Sequence, residues 1–200
     1  MDDVVPQVHL PHIRLLSVSG RIASGSTTLA KKLAYALRWR RIEGGEIFWE
    51  AVRNKLGLDP KDTGLRPDEE DKVFDESLKH ILETKDHMIV ETKLAGFIAR
   101  DMPDVFKILV ICTDPEGNDQ TNIRIDRLVN REHMTIAEAK EEVLVREKSD
   151  VEKWRRLYAG NDQHWTYWDN QYYDLVVNTY EHDPDEALAI VLQAIGYSEK

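Results

Sequence analysis

Only one cysteine, Cys112, stands among the 200 residues, so no internal disulfide can form. A chain of this length buries enough apolar surface to do without one, and a lone thiol fits a reducing compartment. Long apolar runs are missing too: no stretch approaches the roughly 18 residues of a membrane-spanning helix. The opening, MDDVVPQVHLPH, has neither the basic region nor the apolar run of a signal peptide. A soluble, cytoplasmic protein with no membrane partner is expected. Positive charge is in short supply, with 27 Lys and Arg against 37 Asp and Glu, a net charge of −10. An acidic surface of that kind disfavours nucleic acid polymers as partners unless the bases are gathered in one place. No internal repeat or low-complexity segment interrupts the chain, and a single domain is expected. Monomer and dimer both stay open.

What is present is an alternation of short apolar strands and helical stretches, which predicts an α/β domain. Strands are expected at residues 13–18, 40–42, 88–91, 106–112 and 175–178. They are rich in Val, Ile and Leu without polar alternation, as strands covered on both faces are. Helices are expected over 27–37, from Gly45 to before Gly57, and over 67–84, 119–130 and 135–158. A last helix follows Asp183, an N-cap with Pro184 at the first position and Glu186 three residues on, and Gly196 stops it. Residues 54–66, with Gly57, Pro60 and Gly64, read as a loop. With its flanking helices it is either a small mobile insert or an ordinary surface crossover.

Directly after the first strand comes Gly20-Arg21-Ile22-Ala23-Ser24-Gly25-Ser26-Thr27-Thr28, followed at once by an amphipathic helix. This is the G-x-x-x-x-G-K-[ST] pattern in its strand–loop–helix setting, with Ser26 where lysine is expected. The glycines let backbone N–H groups converge on an anion, and the helix adds its own unpaired N–H groups and dipole. Thr27 would place a hydroxyl on Mg²⁺. Without the lysine, other cations must supply the charge, and a tight turn with no ligand is the plainer alternative.

Arg124, Arg127 and Arg131 are spaced i, i+3, i+7, so all three are expected on one helix face. Arg146, Asp150 and Lys153 repeat a similar spacing on the next helix. Two such faces make a clamp for phosphates; the alternative is solvated faces with ion pairs such as Glu142 with Arg146 or Asp126 with Arg131. Glu91, at the end of the third strand, would lie beside the phosphate loop if that strand neighbours the first. It could there hold a metal-bound water or take a proton from an attacking group.

The segments SGRIASGSTTLAKKLA, IEGGEIF, IVETKLAGF, IRIDRLVNRE, VREKSD and YDLVVNT, in this order over residues 13–195, resemble the cytidylate kinases, particularly the archaeal type. The resemblance implies an adenylate-kinase-like P-loop NTPase fold with a five-stranded parallel sheet in the order 2-3-1-4-5. It implies transfer of the ATP γ-phosphoryl group to CMP or dCMP with Mg²⁺, so the partners are small nucleotides. It implies a core of residues 13–43, 87–117 and 172–196, a monophosphate-binding insert over about 44–86, and a short lid and following helix over about 118–158. By matching position, Gly20, Arg21, Ala23, Ser24, Gly25, Ser26, Thr27 and Thr28 would hold ATP, and Arg124, Arg127, Arg131 and Glu91 would serve catalysis. Gly45, Phe48, Trp49, Arg53, Lys93, Gly96, Arg146, Asp150 and Lys153 would meet the acceptor.

The chain departs from the family at several of these places. A small hydroxyl residue at Ser26 is common in archaeal members. Trp49 stands where an arginine usually grips the acceptor phosphate, with Arg53 one turn on as a replacement cation. Thr92 and Lys93 replace the Gly-Arg of Glu-Gly-Arg, and Lys153 replaces another arginine, losing bidentate geometry but keeping charge. Extra residues lie within 116–122. A kinase for another small acceptor, or a weakened nucleotide-binding regulatory protein, are the alternatives these departures suggest. Residues 154–173 hold Trp154, Tyr158, Trp165, Tyr167, Trp168, Tyr172 and Tyr173. They form either a shelf for a base or, more plainly, a packed cap or dimer contact. By segment the charge is +5 for residues 1–41, −6 for 42–93, −2 for 94–118, zero for 119–158 and −7 for 159–200. A cationic phosphate site is therefore compatible with the acidic whole.

Overall fold

The computed structural model describes residues 7–48 and 68–197. Strand β1 (Leu15–Gly20) leads into helix α1 (Ser26–Leu37), then β2 (Arg40–Glu43) and the short α2 (Gly44–Phe48). After the undescribed stretch come α3 (Asp68–Thr84), β3 (Met88–Glu91), a single turn α4 (Ala95–Ile98) and β4 (Val105–Ile111). Helix α5 (Thr121–Glu132) is followed by α6 (Ile136–Lys140), which runs through a π-helical segment (Glu141–Arg146) into α7 (Glu147–Tyr158). A 3₁₀ turn (Asn170–Tyr172), β5 (Leu175–Asn178) and α8 (Pro184–Ala194) complete the chain.

The five strands form one parallel sheet in the order β2-β3-β1-β4-β5, the order that the resemblance implies. Strand β1 is buried at every position, because side chains on both of its faces are covered. Leu16 and Val18 point to one face, where Leu29, Leu33 and Leu37 of α1 and Val191 of α8 pack with them. Leu15 faces the other way, into a second core with Ile42, Leu78 and Leu82 of β2 and α3. Helices on both faces of a parallel sheet make a three-layer α/β/α domain.

Where described, element limits differ from expectation by one or two residues, with three additions: a π-wound turn, the turn α4 and the 3₁₀ turn, whereas the end of the helix expected from Gly45 and the loop expected over 54–66 lie outside the described residues. Residues 135–158 read as one helix, and the chain is helical from Ile136 to Tyr158, but its middle turn is π-wound. That turn shifts the face presented by everything after it. The turn α4 is too short to leave a periodic signal. Asp183 caps α8 as expected, its carboxylate accepting from the N–H groups of Asp185 and Glu186.

Candidate functional site at the loop after the first strand

Sequence and backbone geometry agree at the loop between β1 and α1. Gly25 sits at φ 110°, in the left-handed region that a side chain resists, and it stands as the N-cap of α1 with no side chain to offer. The first intrahelical bond near it is Leu29 N–H to the Gly25 carbonyl at 3.1 Å, so the N–H groups of Ser26, Thr27 and Thr28 lack intrahelical acceptors. At Gly20 a Cβ would collide with the Ser24 side chain and lie 3.0 Å from the Val110 carbonyl, so this close approach needs glycine. Ala23 also adopts positive φ, 59°, which turns successive amides toward one concavity. The result is an anion cradle at the C-terminal edge of the sheet, where such folds bind ligands.

The loop separates two cavities. The first, of about 400 Å³, lies on the β3 side and is lined by Arg21, Ala23, Ser26, Thr27 and Gly45 along with Glu91, Lys93, Arg146, Asp150 and Lys153. Parallel pairing places Glu91 beside Val18 on one side and Glu43 on the other, which sets the carboxylate at the mouth of the loop. Thr27 Oγ1 donates to Glu91 Oε1 at 2.5 Å, and Arg41 Nη1 donates to Glu91 Oε2 at 2.5 Å. Despite desolvation, bonds to Glu43 and Glu91 hold the Arg41 guanidinium above its ordinary range. Lys93 Nζ reaches Asp150 Oδ2 at 2.6 Å, Lys153 pairs with Asp71, and Arg146 pairs with Glu142 at 2.6 Å. Trp154 and Phe74 supply aromatic walls.

The second cavity, of about 430 Å³, lies on the other side of the loop and is lined by Gly25, Thr28, Arg127, Arg131, Thr179 and Tyr180, among others. Arg127 Nη1 donates to the carbonyls of Ala23 at 3.2 Å and Ser24 at 3.0 Å, and Nη2 to the Thr179 carbonyl at 2.9 Å. Arg131 reaches Thr28 Oγ1 at 3.0 Å.

Several expected site residues lie elsewhere. Arg124 does not share an open face with Arg127 and Arg131: it is 1% exposed and lies beneath the loop. Its guanidinium donates to Glu147 Oε2 at 2.9 Å, to Asp119 Oδ2 at 2.8 Å and to the Ile22 carbonyl at 2.7 Å. Arg21 bonds the same carboxylates, at 2.5 Å to Glu147 and 2.9 Å to Asp119, and stacks over the Trp168 ring at 4.5 Å. Ile22 N–H completes the cluster by donating to Glu147 Oε2 at 3.0 Å. A helix face predicted from spacing alone overlooks two carboxylates, Asp119 just ahead of α5 and Glu147 at the start of α7.

Gly96 is likewise a packing residue rather than part of either cavity wall. Its N–H donates to Ser19 Oγ at 3.0 Å, and a Cβ there would enter the Tyr173 ring. Ser24 is fully buried and its hydroxyl has no hydrogen-bond partner among the described residues. Phe48 is the last residue of α2, whereas Trp49 and Arg53 lie outside the described residues. Most of the aromatic segment is a packed cap: Trp165 and Tyr167 join Leu94, Phe97 and Val151 in one core. Tyr167 hydroxyl reaches the Gly20 carbonyl at 3.3 Å, and Trp154 alone of this segment lines the first cavity.

Sequence reasoning missed Arg41, Glu147, Asp119 and the Asp71–Asp75 pair on α3. The i, i+4 spacing of Asp71 and Asp75, alongside the apolar residues of α3, is the one signal that was available for the last two. Burial dominates at Asp75, pushing its carboxyl up to about 7, with the Tyr158 hydroxyl opposing and Asp71 adding to the shift.

No family model matches the chain. It is 31% identical over 184 residues to the cytidylate kinase of Haloarcula marismortui, covering 90% of this chain and 88% of that one. To the cytidylate kinase of Natronomonas pharaonis it is 29% identical over 185 residues, covering 91% and 89%. Among solved structures, an uncharacterized protein from Eubacterium ventriosum superposes with a TM-score of 0.62 at 17% identity, covering 92% of this chain and 98% of that one. Shikimate kinase from Bacteroides thetaiotaomicron gives a TM-score of 0.59 at 13% identity, with the same coverage. At these identities the two structures speak for the fold alone, that of the P-loop kinases.

Proposed function

The chain belongs to the cytidylate kinase family and is a phosphotransferase, and from that premise we propose that it transfers the γ-phosphoryl group of ATP to CMP or dCMP, giving ADP and the corresponding diphosphate. The observation that carries this reading is the placement of one anion cradle between two cavities. One is walled by Glu91, Lys93, Arg146, Asp150 and Lys153, the other by Arg127 and Arg131. A donor whose phosphates lie across the loop would present its terminal phosphoryl to an acceptor in the first cavity.

Catalysis in this reading is positioning plus charge neutralisation. The N–H groups at the start of α1 hold the donor phosphates. Arg21, Lys93, Arg146 and Lys153 supply, from outside the usual loop position, the charge that Ser26 does not. Asp150, within reach of Lys93, accepts from an acceptor sugar hydroxyl or orients that lysine toward the acceptor phosphate. Arg127 acts by holding the carbonyls of Ala23 and Ser24, which fixes the loop's shape, and Arg131 meets the donor.

A Mg²⁺ ion fits the donor set, because Thr27 hydroxyl and Glu91 carboxylate are hard oxygens side by side at the cradle's mouth. When bound, the ion neutralises charge on the transferring phosphates. In this reading residues of about 44–86 act as the acceptor-binding insert and about 118–158 as a short lid and the helix that follows it, and closure of lid and insert excludes water. Among the described residues no helix is long and apolar enough to cross a membrane, and the cytoplasm is the proposed site of action.

The test is ADP release from the purified chain with ATP and Mg²⁺ across the common nucleoside monophosphates and small hydroxylated metabolites. Turnover highest with CMP or dCMP is expected. Robust turnover with another acceptor and none with these two would sink the proposal, and ATP binding without turnover of any acceptor would point to a regulatory protein.

A further inference from the structure

Resting on the kinase reading above, we propose that Glu147 is a positioning residue: its buried carboxylate braces the first half of the phosphate loop in the shape that the donor phosphates need. Glu147 opens α7 directly after the π-wound turn and is 3% exposed. Its Oε2 accepts from the Ile22 N–H at 3.0 Å and from Arg124 Nη1 at 2.9 Å. Its Oε1 accepts from Arg21 Nε at 3.0 Å and Nη2 at 2.5 Å. Arg124 in turn donates to the Ile22 carbonyl at 2.7 Å, so Glu147 holds the N–H of Ile22 directly and its carbonyl through one arginine. The Ile22 side chain packs beside Ile125, Ala139 and Val143, which seats the loop on the same run of helices. A π-wound turn just ahead of such a residue fits a functional position, because these turns are frequent at functional sites.

Two features tie this brace to ligand binding and not to packing alone. The first is strain. Ala23, next along the chain, stands at φ 59°, a conformation that a residue with a side chain keeps only where its surroundings fix it. Glu147 and Arg124 clamp Ile22 on one side of it, and Arg127 takes the carbonyls of Ala23 and Ser24 on the other. The second feature is which backbone groups are left over. Ser24 N–H is bonded to the Arg21 carbonyl at 3.0 Å, whereas the N–H groups of Ala23 and Gly25 have no acceptor among the described residues. They join those of Ser26, Thr27 and Thr28 at the start of α1 as donors for an anion. Ser26 brings no ammonium group to the phosphates, so affinity for the donor depends on how well these N–H groups converge.

Charge and geometry predict opposite signs for one substitution. Glu147→Gln removes a negative charge beside an anion site, which by charge alone strengthens binding of the donor. It also sets an amide N–H₂ among groups that are all donors, which leaves the Ile22 N–H or an arginine unpaired and releases the loop. Calorimetric titration with a non-hydrolysable ATP analogue and Mg²⁺ is expected to give a dissociation constant about tenfold higher in Glu147→Gln. The kcat/KM for ATP is expected to fall about 100-fold, as misplacement of a phosphate cradle does. CMP affinity measured without donor is expected to move less than that of the analogue, because Val151 and Trp154 anchor the acceptor end of α7 in a separate core. Hydrogen exchange followed by NMR reads the brace itself: the Ile22 amide is expected to be protected in the unmodified protein and to exchange about tenfold faster in the variant, while the amides of β1 keep their protection. Thermal melts set the temperature at which each variant is folded. Where Glu147→Gln does not fold, Glu147→Asp keeps the charge, draws the carboxylate back by one methylene and is expected to weaken analogue binding in the same direction. A folded variant that melts lower yet binds the analogue as tightly as the unmodified protein, or more tightly, overturns the inference, as does an Ile22 amide that exchanges freely in the unmodified protein. Failure of the unmodified protein to turn over CMP or dCMP overturns the kinase reading, whereas analogue affinity and Ile22 exchange still decide the brace. No binding of the analogue to the unmodified protein overturns both.

Discussion

At the scale of single residues, the loop's surroundings divide into groups that face ligand and groups that hold those groups in place. Glu91 is fixed from two sides, by Thr27 and Arg41, so its carboxylate cannot swing away from the cradle. Arg124 belongs to the second class. Its charge is spent on Glu147 and Asp119: burial pulls its guanidinium down, and the hydrogen bonds and negative charge of those two carboxylates outweigh it and hold the group above its ordinary range. Replacing it by leucine leaves part of a buried carboxylate pair uncompensated, for which a loss of about 3 kcal/mol is typical. Urea unfolding of Arg124→Leu is expected to show a loss of that order. A midpoint equal to the unmodified protein's would return Arg124 to the list of ligand contacts. The motif spacing made Arg124 visible but not its employment, because the carboxylates that claim it come from positions 5 and 23 residues away.

Among elements, the ones that build the site are anchored by close backbone contact. The turn α4 is tied to β1 through Ser19, whose hydroxyl accepts from Gly96 N–H and donates to the Thr92 carbonyl at 3.0 Å. The Tyr173 ring then covers Gly96, with its own hydroxyl bonded to the Tyr167 carbonyl at 2.6 Å. Adding a methyl group at Gly96 forces that ring or the turn to move, and overpacking of this kind costs about 1–3 kcal/mol. Gly96→Ala is expected to lower the melting temperature while leaving KM for the acceptor within about twofold, since no cavity wall is touched. A rise in KM with unchanged melting temperature would mean that the glycine meets substrate after all. Strands β1 and β3 and helix α1 were legible as elements because their apolar patterns are long or dense. The π-wound turn ahead of α7 was not, because apolar period alone does not reveal one extra residue per turn.

For the whole molecule, the loop is shared by two cavities, so a ligand on either side acts on the same backbone. A non-hydrolysable ATP analogue with Mg²⁺ at about 100 times its dissociation constant adds about 2.7 kcal/mol to stability. In a domain of this size that corresponds to a rise of roughly 5–10 °C in melting temperature, measurable by calorimetry. No shift with the analogue would remove the loop from consideration as a nucleotide site. The net charge of −10 poses no obstacle, because Arg21 of the loop, Lys93 after β3, Arg146 of the π-wound turn and Lys153 of α7 converge on one cavity. By itself the sequence determined the alternating α/β order, the phosphate loop with its two required glycines, the cap of α8 and the cationic residues near the site. These follow from local rules: periodicity, turn sterics and helix-end hydrogen bonding act over a few residues. Only the tertiary structure decided that Arg124 is buried, that Arg41 and Thr27 share Glu91, and that Asp75 enters a cavity with Tyr158 as its one hydrogen-bond donor among the described residues. Each of those depends on which strands pair and which carboxylate arrives from another helix. Desolvation and charge pairing are set by such neighbours, and nothing in the local pattern encodes them.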